Sequence, residues 1–278
     1  KRFPVLETAG IRKFFSGPES FTPDTNTLLG EVPEIKNFFV CCGLNSIGIG
    51  SGGGVGKVTA EWLINGHINE DIFCYDIKRF QKFHSDLSFI KKRITESLGD
   101  LYGMHWPFKQ HKTSRNIKTL PYHDELKSFG ACFGVSGGYE RPMWFALDGE
   151  KTEYEYSYNY QNWYPSAEYE TNNTVKNVGL FDLTPFSKFE IKSDKAHKEL
   201  QKICTANIKN EVGKCIYTHM LNPDAGIETD LTVVCIEKDH FRIISSAATR
   251  ERDKFHIKKY LSKDIELKDV TDDFCVFG

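Results

Sequence analysis

The segment Gly43 to Lys57 carries glycine at positions 43, 48, 50, 52, 53, 54 and 56. It lies between a short apolar run, Phe38-Phe39-Val40-Cys41-Cys42, and a helical stripe of Val55, Val58, Trp62 and Leu63 that stops at Asn65-Gly66. Strand, glycine loop and helix N-terminus together aim free backbone N–H groups and a positive dipole end at an anion. Glycine also lets backbone come close to a planar or phosphorylated ligand. The same residues fit a glycine-rich surface turn, and the sequence alone leaves both readings open. The spacing is neither of the usual phosphate loops. No acidic residue stands where a dinucleotide fingerprint puts its ribose contact, and no Walker lysine-serine pair follows.

Other reactive side chains are scattered. His84, His105, His111 and His123 show no HxH, HxxxH or HExxH spacing, so no metal site is expected. His219 alternates with Tyr217 and Leu221 along a strand and reads as structural. The cysteines at 41, 42, 74, 132, 204, 215, 235 and 275 form no CxxC pair, which fits free thiols in a reducing compartment. Cys41 and Cys42 read as packing on opposite faces of one strand. No Ser-His-Asp or Cys-His constellation is present, so catalytic residues stay unassigned. Trp62, Trp106, Trp144 and Trp163 read as core anchors.

These residues need a scaffold. Leu87, Ile90, Ile94, Leu98 and Leu101 predict a helix that starts at a Ser85-Asp86 cap and closes at Gly103. A polar connector, 109 to 115, and a turn or short helix, 121 to 129, lead to the apolar run Ala131-Cys132-Phe133-Gly134-Val135. Further on come a polar helix around 168 to 177, a strand over 186 to 192, and a helix capped by Asp194 that buries Ala196, Leu200, Ile203 and Cys204. A hairpin pairs 215–221 with 227–236 across Asn222-Pro223-Asp224-Ala225-Gly226. A strand over 240–246 and a basic helix from Thr249 complete a mixed α+β and α/β chain.

With 278 residues, 40% hydrophobic and 27% charged, the chain has the composition of a soluble globular protein that can bury a core. A net charge of −2 gives no electrostatic reason to expect nucleic acid as a partner. No stretch approaches the roughly 20 apolar residues of a membrane span.

Several words occur in a set order: Gly17-Pro18-Glu19-Ser20-Phe21-Thr22-Pro23-Asp24, Leu29-Gly30-Glu31, the glycine segment, Ala60-Glu61-Trp62, Glu140-Arg141-Pro142-Met143-Trp144-Phe145 and Gln161-Asn162-Trp163-Tyr164. They end in Tyr217-Thr218-His219-Met220-Leu221-Asn222 and Gly226-Ile227-Glu228-Thr229-Asp230-Leu231-Thr232-Val233. Over essentially its whole length the chain resembles the dimethylglycine and sarcosine dehydrogenase family, which also includes the regulatory subunit of pyruvate dehydrogenase phosphatase. The resemblance implies three blocks: 1–80 as the closing part of an amino-acid-oxidase-like FAD domain, 81–138 as a central linking domain, and 139–278 as the first half of a folate-binding, aminomethyltransferase-like domain. It implies that the first βαβ unit and the flavin-linking histidine would precede Lys1.

By the same resemblance, Ile47, Gly48, Ile49, Gly50, Ser51 and Gly52 contact FAD, with Gly53, Gly54 and Gly56 allowing close packing where loop enters helix. Ser46 and Ser51 fit helix caps equally well. Thr229, Asp230 and Leu231 fall at the family's tetrahydrofolate site, with an acid near the pteridine and N10 region. Many aminomethyltransferases carry two adjacent acids where this chain has Thr229-Asp230. Tyr217, Met220 and Leu221 read as core or pocket wall, and Tyr160 replaces an arginine frequent in relatives. The implied activity is dehydrogenation of a small N-methylamine, with the one-carbon unit passing to tetrahydrofolate in the mitochondrial matrix. The electron acceptor is left open. The alternative is a non-catalytic regulatory subunit whose partner is the phosphatase catalytic subunit.

Overall fold

The computed structural model describes residues 2–278 and has a mixed α/β architecture built on three antiparallel sheets. Two strands, β1 (Leu28–Glu31) and β2 (Phe39–Cys42), form the first. Helix α1 (Gly48–Asn65) lies on it through Trp62. Gly30 makes that approach possible. It has φ +105°, and a Cβ there would sit 2.7 Å from the Trp62 ring. Cys41 and Cys42 are both exposed, so the expected packing role is not realised, and all eight cysteines are free.

Helix α2 (Leu87–Leu101) starts where the sequence places it, with Asp86 Oδ1 accepting from Phe89 N at 2.9 Å. Its buried face differs from the expected leucine–isoleucine stripe. Phe89, Arg93 and Ser97 are buried, whereas Leu87 is 70% exposed. Arg93 donates to the carbonyls of Thr113 and Ser114, and Ser97 to that of Pro23. A hairpin of β3 (Ala131–Ser136) and β4 (Tyr139–Phe145) follows the short helix α3 (His123–Ser128). The expected 138/139 division falls in its turn. Glu140, 2% exposed, is neutralised there by Arg115, whose Nε donates to Oε1 at 2.7 Å. The 109–115 connector is therefore anchored at its end.

After α4 (Tyr164–Lys176) comes the main sheet, with β5 (Ser187–Lys192), β6 (Cys215–Leu221), β7 (Ile227–Glu237), β8 (His240–Ser245) and β9 (Lys268–Asp269). The spatial order is β6-β7-β8-β5-β9. The 215–221/227–237 hairpin matches the predicted pairing, and its turn is stabilised by Asn222 Oδ1 accepting from the amides of Asp224 and Gly226. Period-two alternation sends Met220, Leu231, Val233, Phe241 and Ile243 to one face. Helices α5 (Ala196–Ile203) and α6 (Arg250–Tyr260) contribute Leu200 and Ile257 to the same core. Asp194 does not cap α5. The N-cap is Lys195, and Ser193 Oγ accepts from Lys195 N.

The hairpin tip touches the segment after α1. His67 Nε2 and Asn69 Nδ2 reach Asp224 Oδ2 at 2.8 and 2.9 Å, and Lys259 Nζ reaches the Gly66 carbonyl at 2.7 Å. Among the described residues no helix is long and apolar enough to cross a membrane.

Candidate functional site

The glycine segment is not a loop as far as Val55. The helix begins at Gly48, so Gly48 to Gly52 form its first turns. Neither serine caps it. Ile47 is the N-cap, Ser46 Oγ donates to Glu19, and Ser51 Oγ donates back to the Ile47 carbonyl at 2.9 Å. Asn45 and Ser46 take positive φ to turn the chain into the helix, and Asn45 Oδ1 accepts from Thr22 N at 2.9 Å. The helix N-terminus thus has no side-chain cap and no acidic residue in its first turn. A Cβ at Gly50, Gly52, Gly53, Gly54 or Gly56 would meet nothing within 4 Å. The expected close packing at Gly53, Gly54 and Gly56 is therefore not made by this chain. Glycine in a helix costs roughly 0.8–1 kcal/mol against alanine, or about 4 kcal/mol over these five positions. Nothing in the chain's own packing requires that loss. An uncapped helix start beside an open glycine surface fits a planar, anionic group such as a flavin.

The second predicted site lies on the open face of the main sheet. Of its three residues only Asp230 presents its side chain there. Thr229 and Leu231 are 5% and 2% exposed and turn inward. Asp230 Oδ2 accepts a 3.1 Å hydrogen bond from the Tyr217 hydroxyl, across the register that pairs His219 with Asp230. That bond holds the Tyr217 hydroxyl above its ordinary range. Tyr217 is 61% exposed and is therefore not core, whereas Met220 is fully buried. The His219 ring packs edge-on to Tyr217 with centroids 5.3 Å apart. On the same sheet Arg242 reaches Glu190 Oε1 at 2.5 Å, and its guanidinium lies 3.9 Å from the Phe274 ring centroid. A carboxylate, a phenol and an imidazole so placed can hydrogen-bond a polar heterocycle.

Sequence spacing missed one cluster. Glu96, Asp100 and His111 bring ligand atoms within 4.8 Å of one another. The three residues span 15 positions from Glu96 to His111, so no short motif signals them. Their oxygens already serve the fold, because Glu96 accepts from the Lys112 and Thr113 amides and Asp100 from Lys109 Nζ. Burial pushes the Glu96 carboxyl up, but those bonds outweigh it and hold it low. Of the tryptophans, Trp62 and Trp144 are buried. Trp106 and Trp163 are half-buried, Trp106 tilted against Tyr158 and Trp163 edge-to-face with Phe108.

The family model described as the GCVT N-terminal domain matches residues 122–278, more than half of the chain. The chain belongs to the GCVT N-terminal domain family. In it the open sheet face with Tyr217 and Asp230 lies inside the matched region, as do all strands from β3 onward. A second model, the FAD dependent oxidoreductase central domain, matches residues 65–119, which hold α2 and its connector. The glycine-rich start of α1 precedes both matches.

Three relatives extend the similarity to the dimethylglycine and sarcosine dehydrogenase family expected from the sequence words. The chain is 40% identical to a 4-methylaminobutanoate oxidase (formaldehyde-forming) of Paenarthrobacter nicotinovorans, over 92% of this chain and 31% of that protein. It is 34% identical to the mitochondrial pyruvate dehydrogenase phosphatase regulatory subunit of Mus musculus, over 98% and 32%. It is 35% identical to the mitochondrial sarcosine dehydrogenase of Homo sapiens, over 86% and 29%. The chain spans about a third of the length of these curated relatives.

Proposed function

We propose that this chain serves a flavin-dependent oxidation of a small N-methylated amine, with the released one-carbon unit passed to tetrahydrofolate. Two sites divide the work. A bound flavin would supply the hydride acceptor for the N-methyl carbon. The first turns of α1, from Ile47 to Gly52, would hold it, because their uncapped N–H groups and positive dipole end suit the negative charge of its reduced ring. The open glycine surface would let the ring approach the helix backbone. Folate binds on the sheet face, where Asp230 accepts a hydrogen bond from the pterin or orients the one-carbon acceptor. Tyr217, bonded to the same carboxylate, fixes its rotamer. Thr229 and Leu231 contribute backbone and packing to that strand rather than contacts of their own.

The observation that carries the folate part is Asp230 standing on an uncovered strand face with Tyr217 as its partner in this chain. The relatives named as an oxidase that forms formaldehyde and as sarcosine dehydrogenase support the amine part. We keep the three-block division at 80/81 and 138/139 as part of this proposal, together with a mitochondrial location, in line with the names of two relatives.

A regulatory subunit is the second reading, supported by a similarity that extends over 98% of the chain and by threonine, not a second acid, at position 229. One titration separates the two. Asp230→Asn keeps the shape of the side chain and removes its charge. A charged hydrogen bond is worth about 1.5–3 kcal/mol, so calorimetry should read a roughly tenfold or larger loss of tetrahydrofolate affinity. Equal affinity of wild type and variant would make Asp230 a surface residue. Absence of folate binding by the wild type would favour the regulatory subunit.

A further inference from the structure

Three lysines are shielded from water, and they differ in how their ammonium groups are held. Lys188, 1% exposed, donates to the carbonyls of Thr184, Phe186 and Thr271 at 2.8, 2.9 and 3.0 Å, so all three protons are engaged. Lys78, 4% exposed, lies 3.0 Å from Asp76 Oδ1, donates to the Glu31 carbonyl, and sits between the rings of Trp62 and Phe255. In both, the nitrogen is held by close polar partners. That of Lys118 is not. Its Nζ has one long contact, 3.4 Å to Gln81 Oε1, and stands 3.6 Å from Asp272 Oδ1, beyond hydrogen-bond reach. It rests 4.0 Å from the centroid of the Tyr139 ring.

The group opens into a cavity of about 850 Å³ whose wall includes Tyr139, Asp272 and His123. Tyr139 is 4% exposed and donates its hydroxyl proton to Asp272 Oδ1 at 3.0 Å. Arg250 reaches the other oxygen of Asp272 at 3.4 Å. Burial, and then the charge of Arg250, push the Lys118 ammonium below the usual lysine range. A half-buried lysine with a loosely held nitrogen, a neighbouring carboxylate and room for a small molecule has the features of a carbonyl-binding amine.

We propose that Lys118 captures a small aldehyde reversibly as a Schiff base in this cavity, formaldehyde being the aldehyde that oxidative N-demethylation releases. The choice of formaldehyde rests on the amine-oxidation reading above; the amine chemistry does not. The Nζ lone pair attacks the carbonyl carbon, a C–N bond forms, and the C=O π pair moves to oxygen. Asp272 relays the two protons that nitrogen sheds in turn to that oxygen, the first giving the carbinolamine hydroxyl and the second turning it into water. The C–O bond breaks and water leaves, so amine plus aldehyde gives methylene imine plus water. Hydrolysis reverses each step and frees the aldehyde.

The full chain is mixed with an equimolar amount of ¹³C-formaldehyde and cyanoborohydride, which reduces a methylene imine to N-methyl-lysine, and the labelled peptides are timed by mass spectrometry. Lys118 should label several-fold ahead of the exposed Lys57 and Lys151, because only the free amine attacks and the carboxylates of Glu61 and Glu155 hold those two ammonium groups charged while burial disfavours the charge on Lys118. Labelling of Lys118 no faster than Lys57 would overturn the proposal. Asp272→Asn keeps an acceptor for Tyr139, leaves Arg250 its two bonds to Asp269, and cannot shuttle the proton, so Lys118 labelling should slow while Lys57 is unchanged. An unchanged Lys118 rate would overturn the role given to Asp272. Amine oxidation is assayed on the same preparation. Oxidation without preferential labelling refutes capture alone, and labelling without oxidation leaves capture standing and removes the proposed source of formaldehyde.

Discussion

Mild acid should destabilise this protein through two buried histidines. His84 is packed among Phe80, Phe83 and Phe89, with ring centroids 5.1, 3.9 and 5.1 Å away. Its Nδ1 lies 3.0 Å from the Gln81 amide nitrogen and 3.2 Å from the Gln81 carbonyl oxygen. Burial pushes its pKa from 6.5 down to about 4. His256, on α6 beside Tyr260, is pushed down to about 4 as well, by burial first and then by Lys259 and Arg252. A histidine with a depressed pKa in the folded state binds fewer protons there than in the unfolded chain. Its contribution is therefore fully present above about 6.5 and is lost as pH falls toward about 4. At pH 5 linkage gives a loss of about 2 kcal/mol per histidine relative to pH 7, or about 4 kcal/mol for the pair. The carboxylates held low by partners, such as Glu140 and Asp269, act in a more acid window. Urea unfolding at pH 7 and pH 5 measures the difference, and His84→Asn with His256→Gln should flatten it by that amount while lowering stability at pH 7. A double variant with the wild-type pH dependence would refute the reasoning, because the titrating groups would then lie elsewhere.

Arg115→Met should cost about 3–5 kcal/mol in urea unfolding, because it strands the Glu140 carboxylate at 2% exposure without its ion partner. A loss below about 1 kcal/mol would mean that the pair behaves as an exposed one. In the full-length protein, Gly50→Val and Gly52→Val should abolish flavin retention and leave the unfolding midpoint nearly unchanged, since a Cβ at either position meets nothing within 4 Å. Normal yellow protein from both variants would return the glycine segment to an ordinary helix start.

The sequence by itself determined what depends on near neighbours. Alternation and a turn rich in Asn, Pro, Asp and Gly were enough to place the 215–221/227–237 hairpin, because strand period and turn chemistry are local. The Asp86 cap placed the start of α2 for the same reason. Ordered words from Gly17 to Val233 carried the family resemblance and, through it, the proposal made for Asp230. Tertiary structure decided the rest. Periodicity named a leucine–isoleucine face for α2, but the buried face is Phe89, Arg93 and Ser97, because carbonyls of Pro23, Thr113 and Ser114 wait there for donors. No local pattern encodes a distant carbonyl. The helix runs back to Gly48 although glycine disfavours it, since the strand pair, the positive-φ turn at Asn45 and Ser46, and the contact of Trp62 set its axis. Which of Thr229, Asp230 and Leu231 faces outward followed only from which face of β7 packs into the core with Leu200 of α5 and Ile257 of α6. Lys118, Tyr139 and Asp272 come from separate segments, and only packing brings amine, phenol and carboxylate to one cavity wall.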